Sequence, residues 1–222
     1  SQRGYTVFQR ISILFLLFFA ACFDYSESIY FSPDLSGFIE IEYRVPLRAK
    51  QDTSLISYFD LEKSDINKRY TRLLSRKTEI ENFQKEIEQT DSGRFAKVKY
   101  RIAFRAPVEL ERILIGSTRV YFFEGKWVVQ RRIPSSPPLH ADAGRVSRRV
   151  HELSRMSLSG HSLNFLIFYP PEYDLFTNHG TIVRPGVESL SIPLSTTQNG
   201  GGLVWTMEIK ANPLQPVSRG KP

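Results

Sequence analysis

Residues 83–104 read FQKEIEQTDSGRFAKVKYRIAF, and this stretch decides the fold class. Between Val98 and Phe104 every even position is apolar, with Lys99, Arg101 and Ala103 in between. Successive side chains of a strand point to opposite faces, so one face belongs to a core and the other is basic and solvated. Upstream, Phe83, Lys85, Ile87 and Gln89 alternate towards Asp91-Ser92-Gly93, a turn signal. Two period-two runs on either side of such a turn form an antiparallel hairpin. Glu86 and Glu88 fall on its solvated side, where they can pair with Lys97, Lys99 or Arg101.

Working outward, the same signal recurs. Ile29 and Phe31 alternate before Asp34-Leu35-Ser36-Gly37, and Phe38, Ile39, Ile41 and Tyr43 continue the pattern after it. Thr118–Phe123, Glu124-Gly125 and Lys126–Gln130 form a third hairpin with a two-residue loop of the favoured kind. From Ser64 to Arg76, Ile66, Tyr70, Leu73 and Leu74 recur at helical spacing behind Ser64 or Asp65 as a cap. Residues 107–114 suit a short helix, and residues 146–158 place Val146, Val150, Leu153 and Met156 or Ser157 on one helical face. Further strands are expected at 162–169, 189–194 and 203–209, separated by loops with Pro170-Pro171 and Asn199–Gly202. The expected fold class is α+β: a mainly antiparallel sheet built from hairpins, with two or three short helices.

The N-terminus carries a different signal. Arg3 and Arg10 precede residues 11–21 (ISILFLLFFAA), and Cys22 follows at once. A basic flank, a short apolar run and terminal small residues describe a secretory signal peptide. As a helix the eleven-residue run reaches roughly 17 Å, about half of a bilayer core, too short to span. The expected organisation is a signal peptide at 1–21, a lipidated tether at 22–28, one domain at 29–212 and a flexible tail at 213–222. Removal of the signal takes the formal charge from +7 to +5, too little to argue for nucleic acid, and the sequence carries no DNA-reading motif. With 13% aromatic residues the chain is not a disordered one, and a single Cys excludes an internal disulfide.

Catalytic constellations are sparse. His140, His151, His161 and His179 stand in no metal-ligand spacing, so no metal or other cofactor is expected. Ser157-Leu158-Ser159-Gly160-His161 places serines and a histidine close in sequence, but Gly160 is explained by the end of a helix before a strand. What remains is a basic surface interleaved with rings. Arg119, Tyr121, Lys126 and Trp127 on the third hairpin and Arg148, Arg149 and Arg155 on the helix at 146–158 form a candidate binding patch, with Arg131 and Arg132 nearby. Such a patch suits anionic head groups or an acidic polymer.

Phe19-Ala20-Ala21-Cys22 resembles the lipobox of bacterial lipoproteins, in the looser form seen in spirochaetes, with Phe19 where Leu is commonest. The resemblance implies that Cys22 is acylated, by chains such as palmitate, and becomes the new N-terminus at a membrane of the cell envelope. The early hairpin tipped by Asp-Leu-Ser-Gly, Phe165–Pro170, Thr177-Asn178-His179-Gly180 and Val204-Trp205 are similar to the mycobacterial LppM-like lipoproteins. That likeness implies a surface lipoprotein contacting envelope glycolipids or other partners, without enzymatic activity. The expected function is a membrane-anchored, non-catalytic envelope lipoprotein binding an anionic lipid, a glycolipid or an envelope protein. One alternative is a periplasmic enzyme acting on cell-wall or lipid substrates. Another is a structural part of an envelope complex docking through a sheet edge.

Overall fold

Two β-sheets packed face to face build the protein. The structure, a computed structural model, describes residues 24–48, 51–54, 59–91, 93–133, 162–193 and 203–211. The signal segment, Cys22, the proline-rich loop, the expected helix at 146–158 and the tail lie outside the described residues. In chain order the elements are β1 (Asp24–Phe31), β2 (Gly37–Pro46), α1 (Lys63–Leu74), β3 (Glu81–Thr90) and β4 (Gly93–Phe104). A 3₁₀ turn (Pro107–Glu109) leads into α2 (Leu110–Ile113), then come β5 (Ser117–Phe123), β6 (Lys126–Ile133) and β7 (Ser162–Phe168). The chain ends through β8 (Tyr173–Thr177), β9 (Thr181–Arg184), β10 (Val187–Pro193) and β11 (Leu203–Ala211).

The expectation of an α+β fold is corrected: the described chain is predominantly β. Its helices span 12 and 4 residues against eleven strands. The expectation failed largely between Pro170 and Ser189, where prolines and Asn178-His179-Gly180 conceal β8 and β9. The domain also starts earlier than the sequence indicated. Residues 24–28, expected as tether, form the first half of β1, paired to β2 on one side and to β7 on the other.

The three hairpins form where the sequence places them. In the first, the Asp34 carboxylate accepts hydrogen bonds from Ser36 N (3.0 Å) and Ser36 Oγ (2.6 Å), which hold Asp34 below the usual carboxylate range. This Asx turn sends Leu35 into the left-handed region (φ 62°), an unusual conformation for leucine, while its side chain is buried. In the third hairpin Glu124 (φ 48°) and Gly125 (φ 77°) are both left-handed, as a type I′ turn requires. Helix α1 buries Ile66, Tyr70 and Leu74 as its periodicity demands, but its cap differs. Glu62 occupies the N-cap without a side-chain bond, so neither Ser64 nor Asp65 caps the helix.

The larger sheet has the order β3-β4-β2-β1-β7-β10-β9 and the smaller one β5-β6-β11-β8. Among the described residues all strand pairings are antiparallel except β1 with β7. On the solvated face of the larger sheet Lys97, Lys99 and Arg101 meet Glu40 and Glu42 of β2, at 2.8 to 3.9 Å. Glu88 turns instead to Arg44 of β2, at 2.8 Å, while Glu86 stands opposite Lys97 within the β3–β4 hairpin. β4 is flanked by two acidic strands, and the sequence alone does not say which neighbour takes its lysines.

The opposite face of the larger sheet is core. Helix α1 covers β4, with the Tyr70 and Tyr100 hydroxyls 3.0 Å apart. The smaller sheet covers the rest, and three contacts fix how. Arg131 of β6 reaches Glu27 of β1, Trp205 of β11 stacks on Phe165 of β7, and Thr177 of β8 bonds Glu188 of β10. β6, β11 and β8 therefore lie over β1, β7 and β10, and the smaller sheet stops one strand short of β9. Tyr173 at the end of β8 donates to Pro33 O (2.8 Å), beyond the end of β1, so the two sheets are aligned.

Candidate functional site

The pivot of the smaller sheet is a buried ion pair. Arg131 and Glu27 are fully excluded from solvent, and the guanidinium meets the carboxylate bidentately at 2.6 and 2.9 Å. Arg131 Nε donates to Ile115 O at 2.7 Å, and the guanidinium lies 4.6 Å from the centre of the Phe165 ring. The Tyr25 hydroxyl donates to Glu27 Oε1 at 2.5 Å; burial, then the Glu27 charge, push its pKa well up, which keeps it a donor. Both carboxylate oxygens of Glu27 and all three guanidinium nitrogens of Arg131 have a partner, which favours charge in a core, whereas the neighbouring Thr118 Oγ1 and Trp205 Nε1 are buried with none. Arg131, which the sequence placed beside the surface patch, is thus a core residue.

With that pivot set, cross-strand register determines what the smaller sheet shows to solvent. Trp205, Met207, Ile209, Val129, Leu175 and Val120 point to the core. The alternate positions point outward in rows. One row is Tyr121, Val128 (itself buried), Glu208 and Phe176; the next is Phe123, Lys126, Lys210 and Asp174; on the other side stand Arg119, Gln130 and Thr206. Tyr121, Phe123 and Phe176 are large apolar groups left in solvent, Phe176 at 60% exposure. Phe122, also 60% exposed, projects past the end of the core and meets Trp127 edge-on at 5.4 Å.

The sequence-derived patch is therefore partly assembled. Arg119, Tyr121 and Lys126 share the outer face, and Lys126 is held by Glu208 at 2.7 Å. Trp127 belongs to the other side of the sheet, packed against the core, and is corrected from ligand contact to support for Phe122. Arg148, Arg149 and Arg155 lie outside the described residues. Phe123, Phe176 and Lys210 were missed. Strand alternation identifies Phe123, but Phe176 joins the face only through the pairing of β8 with β11, which local sequence does not encode.

The ring-bearing end has a definite place. Row Phe123–Lys126–Lys210–Asp174 lies near the level of Pro33, because Ala211 pairs Tyr173 and Tyr173 bonds Pro33. The start of β1, at Asp24, is at the opposite pole, about 26 Å away for the eight residues of β1. The tip of the third hairpin thus points away from the end where residue 22 joins the domain.

Among the described residues, a groove and a hollow lie away from this face. A groove of about 900 Å³ beside α1 is lined by Asp60, Asp65, Lys68, Arg69, Arg72 and Arg112 among others. Its charges largely answer one another: Arg69 pairs with Asp60 at 3.3 Å and Lys68 with Asp65 at 3.2 Å. Near the start of β1, Asp24, Glu42, Arg44, Glu88 and Lys97 surround a smaller polar hollow of about 290 Å³. Among the described residues no group of three His, Cys, Asp or Glu side chains stands together as a metal site, and no helix is long and apolar enough to cross a membrane. Glu188, buried at the seam with Thr177, has its pKa raised by loss of solvent. It packs against Gly180, where a Cβ would overlap its carboxylate, and so serves the joint between β8 and β9.

Comparison with known proteins adds family but little chemistry. No curated protein matches the chain. Among solved structures, the folded domain of Mycobacterium tuberculosis LppM aligns with 88% of this chain and 94% of that one, at 10% identity and a TM-score of 0.49. A likeness at that level is recorded without weight for function. The family match is extensive: residues 17–213 fit the LIC11874-like profile, a span that includes every described strand and both faces of the candidate site. The chain belongs to the LIC11874-like family.

Proposed function

We propose that the protein is an envelope lipoprotein, acylated at Cys22, that performs no reaction and holds a protein partner against the ring-bearing end of its smaller sheet. The observation carrying this reading is the placement of two poles. Asp24 already stands in a central strand, so at most about 7 Å of extended chain separates Cys22 from the sheet. An anchor there seats the Asp24 pole on the membrane and lifts Phe122, Phe123 and Phe176 clear of the leaflet. Exposed rings rimmed by Arg119, Lys126, Lys210 and Asp174 then favour a protein partner over head groups of the anchoring membrane. The inner or outer membrane is equally compatible with this arrangement.

The test is metabolic labelling with a fatty-acid analogue followed by membrane fractionation, comparing wild type with Cys22→Ala. Labelled, membrane-bound wild type and an unlabelled variant released from the membrane are expected. Several acyl chains at about 0.8 kcal/mol per buried CH₂ make the difference large. Equal labelling of both proteins, or wild type cleaved beyond Cys22, contradicts the anchor.

A further inference from the structure

We propose that the groove beside α1 is a phosphoryl-binding site, separate from the ring-bearing end of the smaller sheet. Its volume of about 900 Å³ is that of a small-molecule site. Three parts of the chain wall it: α1 with the turn before it, α2, and the approach to β5 at Gly116. The Tyr43 hydroxyl donates to Asp60 O, and Tyr43 pairs with Tyr25 beside Asp24. Past the other end of α1, Arg76 donates to Ala103 O at 3.0 Å, and Ala103 stands opposite Phe38 next to the turn of the first hairpin. Helix α1 therefore rises from the Asp24 pole. The Asp60 end of the groove is close to that pole, and the Leu73 end is farther up.

Charge selects the ligand. The groove holds four cations, Lys68, Arg69, Arg72 and Arg112, against three carboxylates, Asp60, Asp65 and Glu111. Arg69 takes Asp60 at 3.3 Å, with both side chains mostly withdrawn from solvent. Glu111 accepts from the Val120 amide at 2.6 Å. Asp65 meets Lys68 at 3.2 Å in an exposed pair, a weak contact that Lys68 can exchange for another anion. Among the described residues no carboxylate pairs with Arg72 or Arg112.

The two guanidinium groups belong to different helices. Arg112 Nη1 donates to Leu73 O at 3.1 Å, which fixes this fork against α1 beside Arg72 and keeps its remaining donors for a ligand. Side chains of a helix lean towards its N-terminus, so Arg72 lies over the turn that carries Lys68 and Arg69. Two such forks suit a phosphoryl group, which has oxygens enough for a bidentate bond to each, whereas a carboxylate has only two. Leu73 and Leu114 give the groove an apolar wall, which suits the organic body of a phosphate ester.

The test is equilibrium dialysis of the detergent-solubilised full chain against radiolabelled orthophosphate at constant ionic strength. Saturable binding of one phosphate per chain is expected, weaker by about tenfold or more in Arg72→Gln and in Arg112→Gln. Arg72 is exposed and makes no ion pair among the described residues, so its variant keeps the fold, which a thermal melt checks. Lys77→Gln removes the same charge just beyond α1, outside the groove lining, and is expected to bind as wild type does. Competition then names the source of the phosphoryl group. Displacement by detergent-dispersed phosphatidate alone assigns a lipid head group, and displacement by glycerol phosphate a soluble ester, both in accord with the site. No binding by wild type, undiminished binding by Arg72→Gln, an equal loss in Lys77→Gln, or displacement by neither ester overturns the proposal.

Discussion

Arg131→Met is expected to destabilise the domain by about 3–5 kcal/mol in urea unfolding, the range for removing one partner of a buried ion pair. The substitution leaves Glu27 inside the core with only the Tyr25 hydroxyl as a partner among the contacts it makes in the native protein. It also strands Ile115 O, which Arg131 Nε now satisfies, and removes the cation from the Phe165 ring. Glu27→Gln keeps the shape but weakens both charge-assisted bonds, so a smaller loss follows. The pair as a whole is a different matter. Coulomb attraction between two buried charges is largely offset by their desolvation, so Glu27→Leu combined with Arg131→Met is expected to recover much of the single-variant loss. A double-mutant cycle measures this, and additive losses would contradict the cluster described here.

Gly37→Ala gives the second large effect. An added Cβ would lie 1.8 Å from Tyr30 O and 2.9 Å from Phe104 Cζ. Tyr30 is held on both sides, by Phe38 of β2 and Phe168 of β7, so its carbonyl has no room to retreat. The cost expected is about 3 kcal/mol, the upper end for overpacking, which lowers Tm by about 6–12 °C in a chain of this size. Gly125→Ala is the control. Nothing lies within 4 Å of its Cβ position, and only the left-handed φ of 77° is penalised. That change is expected to cost about 1–2 kcal/mol, and a thermal melt in which both variants lose equally would contradict the steric account.

Local signals made the hairpins legible. Strict alternation in Val98–Phe104, and Gly-containing turns at Ser36-Gly37 and Glu124-Gly125, are short-range features that survive folding unchanged. Glu27 shows where such signals stop. It occupies an inward position between Tyr25 and Ile29, yet a carboxylate there reads as solvated, because the residue that neutralises it stands 104 positions away. The same ion pair hid the start of the domain, since Tyr25 and Glu27 looked like tether. Pairing of β1 with β7 in parallel, and the rows that carry Phe176 beside Tyr121, are likewise products of long-range register. Of the candidate patch, Arg119, Tyr121 and Lys126 share the outer face and Trp127 lies on the core side, because adjacent strand residues face opposite ways.

The central claim is that the Asp24 pole rests on the membrane and the ring-bearing pole faces away from it. Val204 and Lys210 lie on one strand and one face, six positions and about 20 Å apart. Val204→Cys and Lys210→Cys, each labelled with a fluorophore in the membrane-attached protein, allow depth to be read by a quencher carried on lipid head groups. Strong quenching at position 204 and weak quenching at 210 is the result expected. Equal quenching at both positions, or stronger quenching at 210, would contradict it.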